Sequence, residues 1–271
     1  MFTRSLVSAL LTAVLFLGPS TLSAQFTRPS QPRPTPPPKP VDTWQPTILI
    51  DCPTAGTLKR GNFDAVLQVY PGGGLLTSTD IGMSNRLMLG VSYGADGIVA
   101  EDRPTWNPRV EFNIKMSLVD EGLVFPAMAL GFVSQGYGGY NKEDKRYAFK
   151  SKGFYAVASK NYPFYDLQIG LHGGINYSME QEDNDANMDF FLGSDTRLNK
   201  DVGLVLEYDF ATNDDSGVKY SGRGRGYLNL SLQWMYSESL VMEFLLKNLN
   251  NNRDGVADIW RGLRFTYVQH F

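Results

Sequence analysis

The chain has 271 residues, of which 42% are hydrophobic and 13% aromatic, and it carries a formal charge of −3 with a single cysteine. This hydrophobic content excludes intrinsic disorder for most of the chain, the negative charge disfavours a nucleic-acid partner, and one cysteine cannot form an internal disulfide or a thiol-rich metal site. Beyond the first 20 residues the sequence has no run of about 20 apolar residues, so the only membrane protein that it could be is a β-barrel.

Residues 1–24 have the pattern of a secretory signal peptide. Arg4 precedes an apolar stretch from Leu6 to Leu17, and a plausible cleavage site follows Ala24. The alternative, a membrane anchor, requires a longer apolar run. We therefore expect the mature protein to begin near Gln25.

A proline-rich segment follows at residues 25–46, with eight prolines between Pro29 and Pro46. This composition favours an extended polyproline II tether over a folded domain. We expect a periplasmic spacer. The alternative is an arm that binds a periplasmic partner through its prolines.

From residue 47 to residue 271 the dominant pattern is a two-residue alternation of apolar and polar side chains. It is clearest from Arg109 to Leu118, where every even position is apolar and every odd position is polar. The alternating segments run for nine to eleven residues, the length that a bilayer requires and longer than the usual strand of a soluble β-sandwich. We therefore predict an all-β protein, a transmembrane antiparallel up-and-down β-barrel in the bacterial outer membrane, formed by residues 47–271.

Twelve strands are predicted, an even number as in single-chain bacterial barrels. They cover residues 62–70, 75–82, 86–95, 108–118, 126–135, 151–160, 166–177, 187–194, 202–211, 225–236, 240–248 and 259–271. Short and long connections alternate between them, which predicts that the short turns and both chain ends face the periplasm.

The last predicted strand contains alternating Leu263, Phe265 and Tyr267 and ends on Phe271. This pattern resembles the targeting signal of outer-membrane barrels. The resemblance implies that the barrel assembly machinery is a partner of the chain. Outer-membrane lipid and lipopolysaccharide are the other expected partners.

Inward-facing polar residues define the predicted lumen. Both charge signs occur among them without a ring of one sign, so neither anion nor cation selectivity is expected. Twelve strands predict a bore between that of a filled eight-stranded barrel and that of an open sixteen-stranded porin. The predicted inward residues are Arg86, Arg109, Glu111, Asn113, Lys115, Gln168, His172, Asn176, Glu207, Asp209, Asn229, Gln233, Glu243, Lys247 and Arg264.

Catalytic and metal-binding roles have little support in the sequence. His172 is predicted to point into the lumen but has no serine two residues away on its own strand, so an enzyme is not expected. The acidic run from Asp183 opens like a calcium loop but lacks the glycine and the glutamate that such a loop requires. We expect no cofactor and no metal. The acidic residues at 180–185 and the basic residues at 142–152 are interpreted as solvated loop charges.

Several short motifs resemble those of a known group of barrels. They include Pro53-Thr54-Ala55, Trp106-Asn107-Pro108, Ser134-Gln135-Gly136-Tyr137 and Gly153-Phe154-Tyr155. Across roughly residues 50–271 the chain resembles Gram-negative barrel proteins related to the YjbH-like family, which is associated with exopolysaccharide production. The alternative interpretation is that these motifs serve barrel turns and the aromatic girdle.

The expected function is a small, porin-like pore, or an accessory component, for the passage or export of a polar solute. The family resemblance implies a solute related to polysaccharide. The alternative is a non-conducting structural or envelope-binding barrel whose proline-rich arm engages a periplasmic partner.

Overall fold

The computed structural model describes residues 46–99, 103–165, 167–216, 221–253 and 259–269. The predicted signal peptide, nearly all of the proline-rich segment and the terminal Phe271 lie outside these residues. The described chain consists of β-strands, turns and loops. It has no helix that is long and apolar enough to cross a membrane.

Fifteen strands are present in the described residues. In chain order they are β1 (Phe63–Tyr70), β2 (Gly74–Gly82), β3 (Leu87–Asp96), β4 (Thr105–Trp106), β5 (Glu111–Val119), β6 (Ala127–Val133), β7 (Tyr137–Asn141), β8 (Arg146–Phe149), β9 (Gly153–Phe164), β10 (Leu167–Tyr177), β11 (Asp189–Arg197), β12 (Val202–Asp209), β13 (Tyr227–Met235), β14 (Leu240–Lys247) and β15 (Trp260–Gln269).

Twelve of these strands, all except the short β4, β7 and β8, form the wall of a closed antiparallel barrel. Each wall strand pairs with the next wall strand along the chain. The sheet closes because β15 also pairs with β1, where Phe63 lies opposite Gln269 and Val69 lies opposite Leu263. The predicted twelve-stranded up-and-down barrel is confirmed.

The two faces of the wall differ in polarity, as strand β5 shows. Phe112 is 55% exposed on the outer face, and Ile114 and Met116 are exposed beside it, whereas Glu111 and Lys115 are buried inside. An apolar outer face around a polar interior is the arrangement that lipid requires of a spanning barrel, because every backbone polar group is paired within the closed sheet. The chain has the fold of an outer-membrane β-barrel.

The two ends of the barrel differ in their connections. The turns after β2, β5, β9, β11 and β13 form the short-turn end, and the opposite end carries most of the long connections and is called the long-loop end. The tight turn between β1 and β2 is a short exception at the long-loop end. In outer-membrane barrels short turns face the periplasm.

Two segments that the sequence analysis assigned elsewhere lie inside the barrel. Residues 46–59, which except for Pro46 were counted there as part of the barrel domain, form no wall strand, and most of them are buried inside the barrel; we call them the plug. The hairpin of β7 and β8, counted as part of an outer loop, folds into the long-loop mouth. Gly138 permits this fold, because it has a φ of +76° and a Cβ at this position would lie 2.8 Å from the Trp260 indole.

Candidate functional site

The plug is a tight turn of chain inside the lumen. Ile48 forms an isolated bridge with Pro53, and the turn between them buries Leu49, Ile50 and Cys52 completely. Burial raises the pKa of the Cys52 thiol well above its usual range. The only cysteine of the chain is therefore inaccessible to solvent while the plug is in place.

Glu207 on β12 binds the tip of the plug. Its Oε2 accepts the backbone N–H groups of Ile50 at 2.9 Å, Asp51 at 2.9 Å and Cys52 at 2.8 Å. Its Oε1 accepts the side-chain amide of Asn229 at 2.8 Å. One side chain therefore binds three successive peptide groups. Hydrogen bonds to a carboxylate are stronger than hydrogen bonds between neutral groups.

Arg264 on β15 binds the carbonyl side of the same turn. Its Nη1 donates to the Ile50 carbonyl at 2.9 Å and its Nη2 to the Leu49 carbonyl at 2.5 Å. The guanidinium also forms an ion pair with Glu243 on β14, to which Nη2 donates at 2.9 Å. Arg264 thus links the wall and the plug while its own charge is balanced by Glu243.

Two lysines complete the attachment of the plug. Lys115 Nζ donates to the Thr47 carbonyl at 2.5 Å and to the Gly56 carbonyl at 3.2 Å. Lys247 Nζ lies 2.5 Å from Asp51 Oδ2. Burial raises the pKa of the Asp51 carboxyl, and the Lys247 ammonium opposes that shift. The plug is therefore held by wall charges of both signs, most of which bind its main chain.

His172 takes part in a hydrogen-bonded chain that also reaches the plug. Its Nδ1 lies 2.8 Å from Ser159 Oγ on β9, and its Nε2 lies 2.7 Å from Asp195 Oδ1 on β11. Ser159 Oγ also accepts the backbone N–H of Ala55 at 2.8 Å. Sequence analysis found no serine for His172 on its own strand; the antiparallel pairing supplies one from the neighbouring strand, because His172 lies opposite Ser159.

A buried ionic cluster surrounds the β7–β8 hairpin at the long-loop mouth. Arg146, only 2% exposed, lies 2.6 Å from Asp183 and 2.7 Å from Asp214. Lys150 lies 2.8 Å from Asp183. Tyr227 donates its hydroxyl to Asp214 at 2.6 Å. We call these five residues the cap cluster.

The cap cluster corrects part of the sequence analysis. That analysis interpreted the acidic residues at 180–185 and the basic residues at 142–152 as solvated loop charges. In the structure Glu180 is also buried, where it accepts the backbone N–H groups of Tyr147 at 2.8 Å and Ser151 at 3.1 Å, and burial raises its pKa. Loop charges become buried here because acids and bases from three separate loops meet and pair over the mouth.

Aromatic side chains support the cap from below. Phe149, Tyr227 and Trp260 pack edge to face, with ring centroids 4.9 Å and 4.8 Å apart. Lys247 lies over the Tyr137 and Phe149 rings, at 4.6 Å and 4.5 Å from their centroids. Lys247 therefore contacts both the plug, through Asp51, and the hairpin.

A cavity of about 120 Å³ remains in the lumen beside the plug. The plug forms one side through Thr47, Ile48 and Asp51, and much of the other side is formed by β1, β2, β3 and β5. Polar wall residues at this cavity include Asp64, Gln68, Ser78, Asp80, Ser92, Asn113 and Gln135. The plug contacts described above reach β5, β9, β12, β14 and β15. The cavity therefore lies mainly beside β1, β2 and β3.

The predicted lumen residues fall into two groups. Those enclosed within the barrel are Glu111, Asn113, Lys115, His172, Asn176, Glu207, Asp209, Asn229, Gln233, Glu243, Lys247 and Arg264. Arg86, Arg109 and Gln168 are exposed at or next to strand ends, where Arg86 pairs with Asp120 at 3.2 Å and Arg109 with Glu111 at 3.0 Å. The outward side of β15 carries Leu263, Phe265 and Tyr267, the described part of the predicted assembly signal.

Sequence analysis missed the acids of the first two strands and every plug contact. Asp64 and Asp80 both lie at inward positions, which the alternation of β1 and β2 could have revealed. The signal is weak there because apolar Val66 and Leu76 share the inward faces with them. The plug has no periodic pattern that could reveal its position.

Comparisons with known proteins found similarity between this chain and solved barrel structures. No protein-family model and no curated protein matches the chain. Solved structures that are similar include the KdgM porin, with 11% identity, a TM-score of 0.46, and coverage of 78% of this chain and 99% of that chain. The NanC porin has 11% identity, a TM-score of 0.41, and coverage of 77% and 99%. The COG4313 outer membrane channel from Pseudomonas putida F1 has 10% identity, a TM-score of 0.40, and coverage of 79% and 98%.

Proposed function

We propose that the protein is an outer-membrane channel for small polar solutes, closed in this structure by its own plug. One observation carries the proposal: charged wall residues in the middle of the lumen bind the main chain of a segment that is not part of the wall. Glu207 accepts three plug N–H groups, and Arg264 and Lys115 each donate to two plug carbonyls. Water and polar solutes carry similar hydrogen-bonding groups, so they can take the place of the plug's backbone amides and carbonyls at these wall residues.

The energetics of the wall charges support a removable plug. A lumen filled permanently is most simply filled with apolar side chains, because buried ions gain little over well-packed hydrophobic groups. Here Glu207, Lys115 and Arg264 bind a segment that joins β1 through residues 60–62. When the plug leaves, the same side chains line a water-filled bore, where their charges are hydrated at little cost.

Single-channel recording tests the proposal. The full chain is compared with a variant in which residues 46–59 are replaced by a Gly/Ser segment of equal length, which keeps the N-terminal chain but removes the ordered contacts. We expect rare, small openings from the natural sequence and a conductance at least about tenfold larger from the variant. The matched control is Lys145→Ala, which removes a surface ion pair with Glu182 far from the plug contacts. The heat-dependent gel mobility of the variant shows whether it is folded. A folded variant that carries no current contradicts the proposal.

A second candidate function is a non-conducting envelope protein, and the cap cluster favours it. Arg146, Lys150, Asp183 and Asp214 form ion pairs at the long-loop mouth without any contribution from the plug. If both the plug replacement and an Arg146→Ala variant remain electrically silent while folded, this second function is the better one. The proline-rich arm is then the candidate contact for a periplasmic partner.

The solute class rests on the sequence resemblance. The resemblance to YjbH-like barrels makes polysaccharide-derived oligosaccharides the first solutes to assay in liposome swelling with the plug-replaced variant. Faster swelling with these sugars than with amino-acid solutes of the same size supports that class. The protein is proposed to act without catalysis.

A further inference from the structure

The connection between β5 and β6, at the short-turn end, is apolar and exposed. Leu123 is 101% exposed, Val124 82% and Phe125 70%. Residues 122–126, Gly-Leu-Val-Phe-Pro, contain no side chain that can form a hydrogen bond, and we call them the apolar turn. The turns after β2, β11 and β13 are polar instead, with Ser84-Asn85, Asn199-Lys200 and Ser237-Glu238. Exposed apolar surface of this kind marks an interaction site.

Lys160 on β9 fixes the position of the apolar turn. The side chain of Ser159 points inward, where it binds Ala55 of the plug, so the side chain of Lys160 points to the outer face of the wall. Its Nζ lies 3.0 Å from Glu121 Oε1 and donates to the Gly122 carbonyl at 2.5 Å. The start of the apolar turn is therefore bound on the outer side of the barrel.

The two acids that precede the apolar turn bind the barrel. The pairing of β6 with β9 ends at Ser159, and Glu121 accepts the backbone N–H of Asn161 beyond that point at 2.9 Å and its side-chain amide at 2.7 Å. Asp120 pairs with Arg86 at 3.2 Å. The charges beside the turn are thus engaged by the wall, and the surface that the turn presents is apolar.

The apolar turn continues the lipid-facing surface of the wall. Leu118 at the end of β5 and Met128 at the start of β6 are exposed on the outer face beside it. The adjacent strand β9 ends with exposed Tyr162 and Phe164, and the Tyr165 ring packs edge to face on Phe164 with centroids 4.9 Å apart. Aromatic side chains are enriched at the interface between membrane and water. Continuity with this surface favours lipid as the occupant.

The backbone of the apolar turn indicates the depth that it can reach. A segment within lipid must satisfy its backbone polar groups internally. The Gly122 N–H donates to the Phe125 carbonyl at 3.0 Å, the Gly122 carbonyl accepts from Lys160, and Pro126 has no N–H group. The turn therefore needs few hydrogen bonds from water, which suits the boundary between lipid headgroups and acyl chains.

We propose that the apolar turn inserts into the periplasmic leaflet of the bilayer at this boundary, and that Lys160 positions it there. Short turns face the periplasm in outer-membrane barrels, which assigns the leaflet. The inference rests on the membrane location in the proposed function and does not require conduction.

Insertion is tested with an NBD fluorophore on the full-length protein in nanodiscs of phosphatidylethanolamine and phosphatidylglycerol. In a Cys52→Ser background the label is attached at Leu123→Cys, at Val124→Cys as a second site, or at Lys200→Cys, an exposed position of the β11–β12 turn. Iodide quenching should be at least about fivefold weaker at 123 and 124 than at 200, because an inserted apolar face lies roughly 5–10 Å into the headgroup boundary. Lipid carrying a nitroxide near its headgroup should quench the label at 123 and 124 but not at 200.

Two results overturn the proposal. Equal iodide quenching at 123 and 200 places the turn in water, where a periplasmic protein could bind it. Protection from iodide without quenching by the nitroxide lipid places it against a second copy of the chain. Heat-dependent gel mobility confirms that each labelled variant is folded, and a barrel that carries no current leaves the proposal intact, since the label reports position only.

The role of Lys160 is tested with Lys160→Met in the protein labelled at position 123. Methionine keeps an unbranched apolar side chain but loses the contacts with Glu121 and the Gly122 carbonyl. Iodide quenching should rise and quenching by the nitroxide lipid should fall. Lys145→Met is the matched control, because Lys145 pairs with Glu182 in the loops of the long-loop end. If both variants keep the signal of the unsubstituted protein, Lys160 does not position the turn.

Discussion

Glu207 and Arg264 hold the same plug residue from opposite sides of its backbone. The Ile50 N–H donates to Glu207 at 2.9 Å, and the Ile50 carbonyl accepts from Arg264, also at 2.9 Å. One side chain is an acid and the other a base, so the two polar groups of one plug residue are both satisfied by charged residues of the wall. This explains how a segment without secondary structure keeps a fixed position inside the barrel.

Glu207→Gln should loosen the plug. The amide keeps the size of the side chain but loses the charge that three N–H groups share, and its NH₂ group must face a donor. We expect the rate of Cys52 labelling by a small thiol reagent to rise at least about tenfold, since tenfold corresponds to about 1.4 kcal/mol. The chain has a single cysteine, which makes the readout specific for the plug.

The control for this prediction is Glu111→Gln. Glu111 is a buried lumen acid of the same type, but it binds Tyr147 and Arg109 instead of the plug. Its Cys52 labelling should match that of the natural protein. If Glu207→Gln also labels at the natural rate, Glu207 does not hold the plug.

Ser159→Ala should weaken the plug without removing any enzymatic activity. The substitution deletes the acceptor of the Ala55 N–H and a partner of His172, at a cost of about 1 kcal/mol. We expect a severalfold faster labelling of Cys52, and background hydrolysis of a small ester both before and after the change. Ester hydrolysis that the natural protein catalyses and the Ala variant does not would instead assign Ser159, His172 and Asp195 to a catalytic site.

Arg146→Ala should destabilise the cap cluster strongly. It leaves Asp183 and Asp214 buried without their guanidinium partner, a change that costs about 3–5 kcal/mol at buried ion pairs. The expected result is a lower temperature for the gel-mobility shift and faster proteolysis of the long loops. The adjacent Lys145→Ala is the matched control, because its pair with Glu182 is largely exposed and an exposed ion pair contributes little to stability. Equal behaviour of the two variants would show that the cap cluster contributes little.

Gly90→Ala should break the contact between Asp80 and Asn113 with only one added methyl group. The new Cβ would lie 1.9 Å from Asp80 Oδ1, so Asp80 must turn away and lose the hydrogen bond from Asn113. We expect a lower melting temperature. Gly122→Ala is the control, because a Cβ there has nothing within 4 Å. A Gly90→Ala protein with the stability of the natural protein would contradict this prediction.

The sequence alone determined the wall of this protein. In β5, alternation between Glu111 or Lys115 and the apolar Phe112 or Ile114 specifies which side faces lipid, because the side-chain period of a strand is two and only one face can be apolar. The same alternation set the number of strands and their approximate bounds, and it placed residues such as Glu207 and Arg264 on the inner face.

The tertiary structure decided what the interior contains. Glu207 meets Ile50 across 157 residues of sequence, and Arg264 meets it across 214, so no local pattern reports either contact. The plug has no periodicity, and the charges of the cap cluster look like ordinary solvated loop residues until three loops meet. The Asp64–Asp80 pair and the contact between His172 and Ser159 depend on the register between neighbouring strands, which the alternation of one strand does not specify.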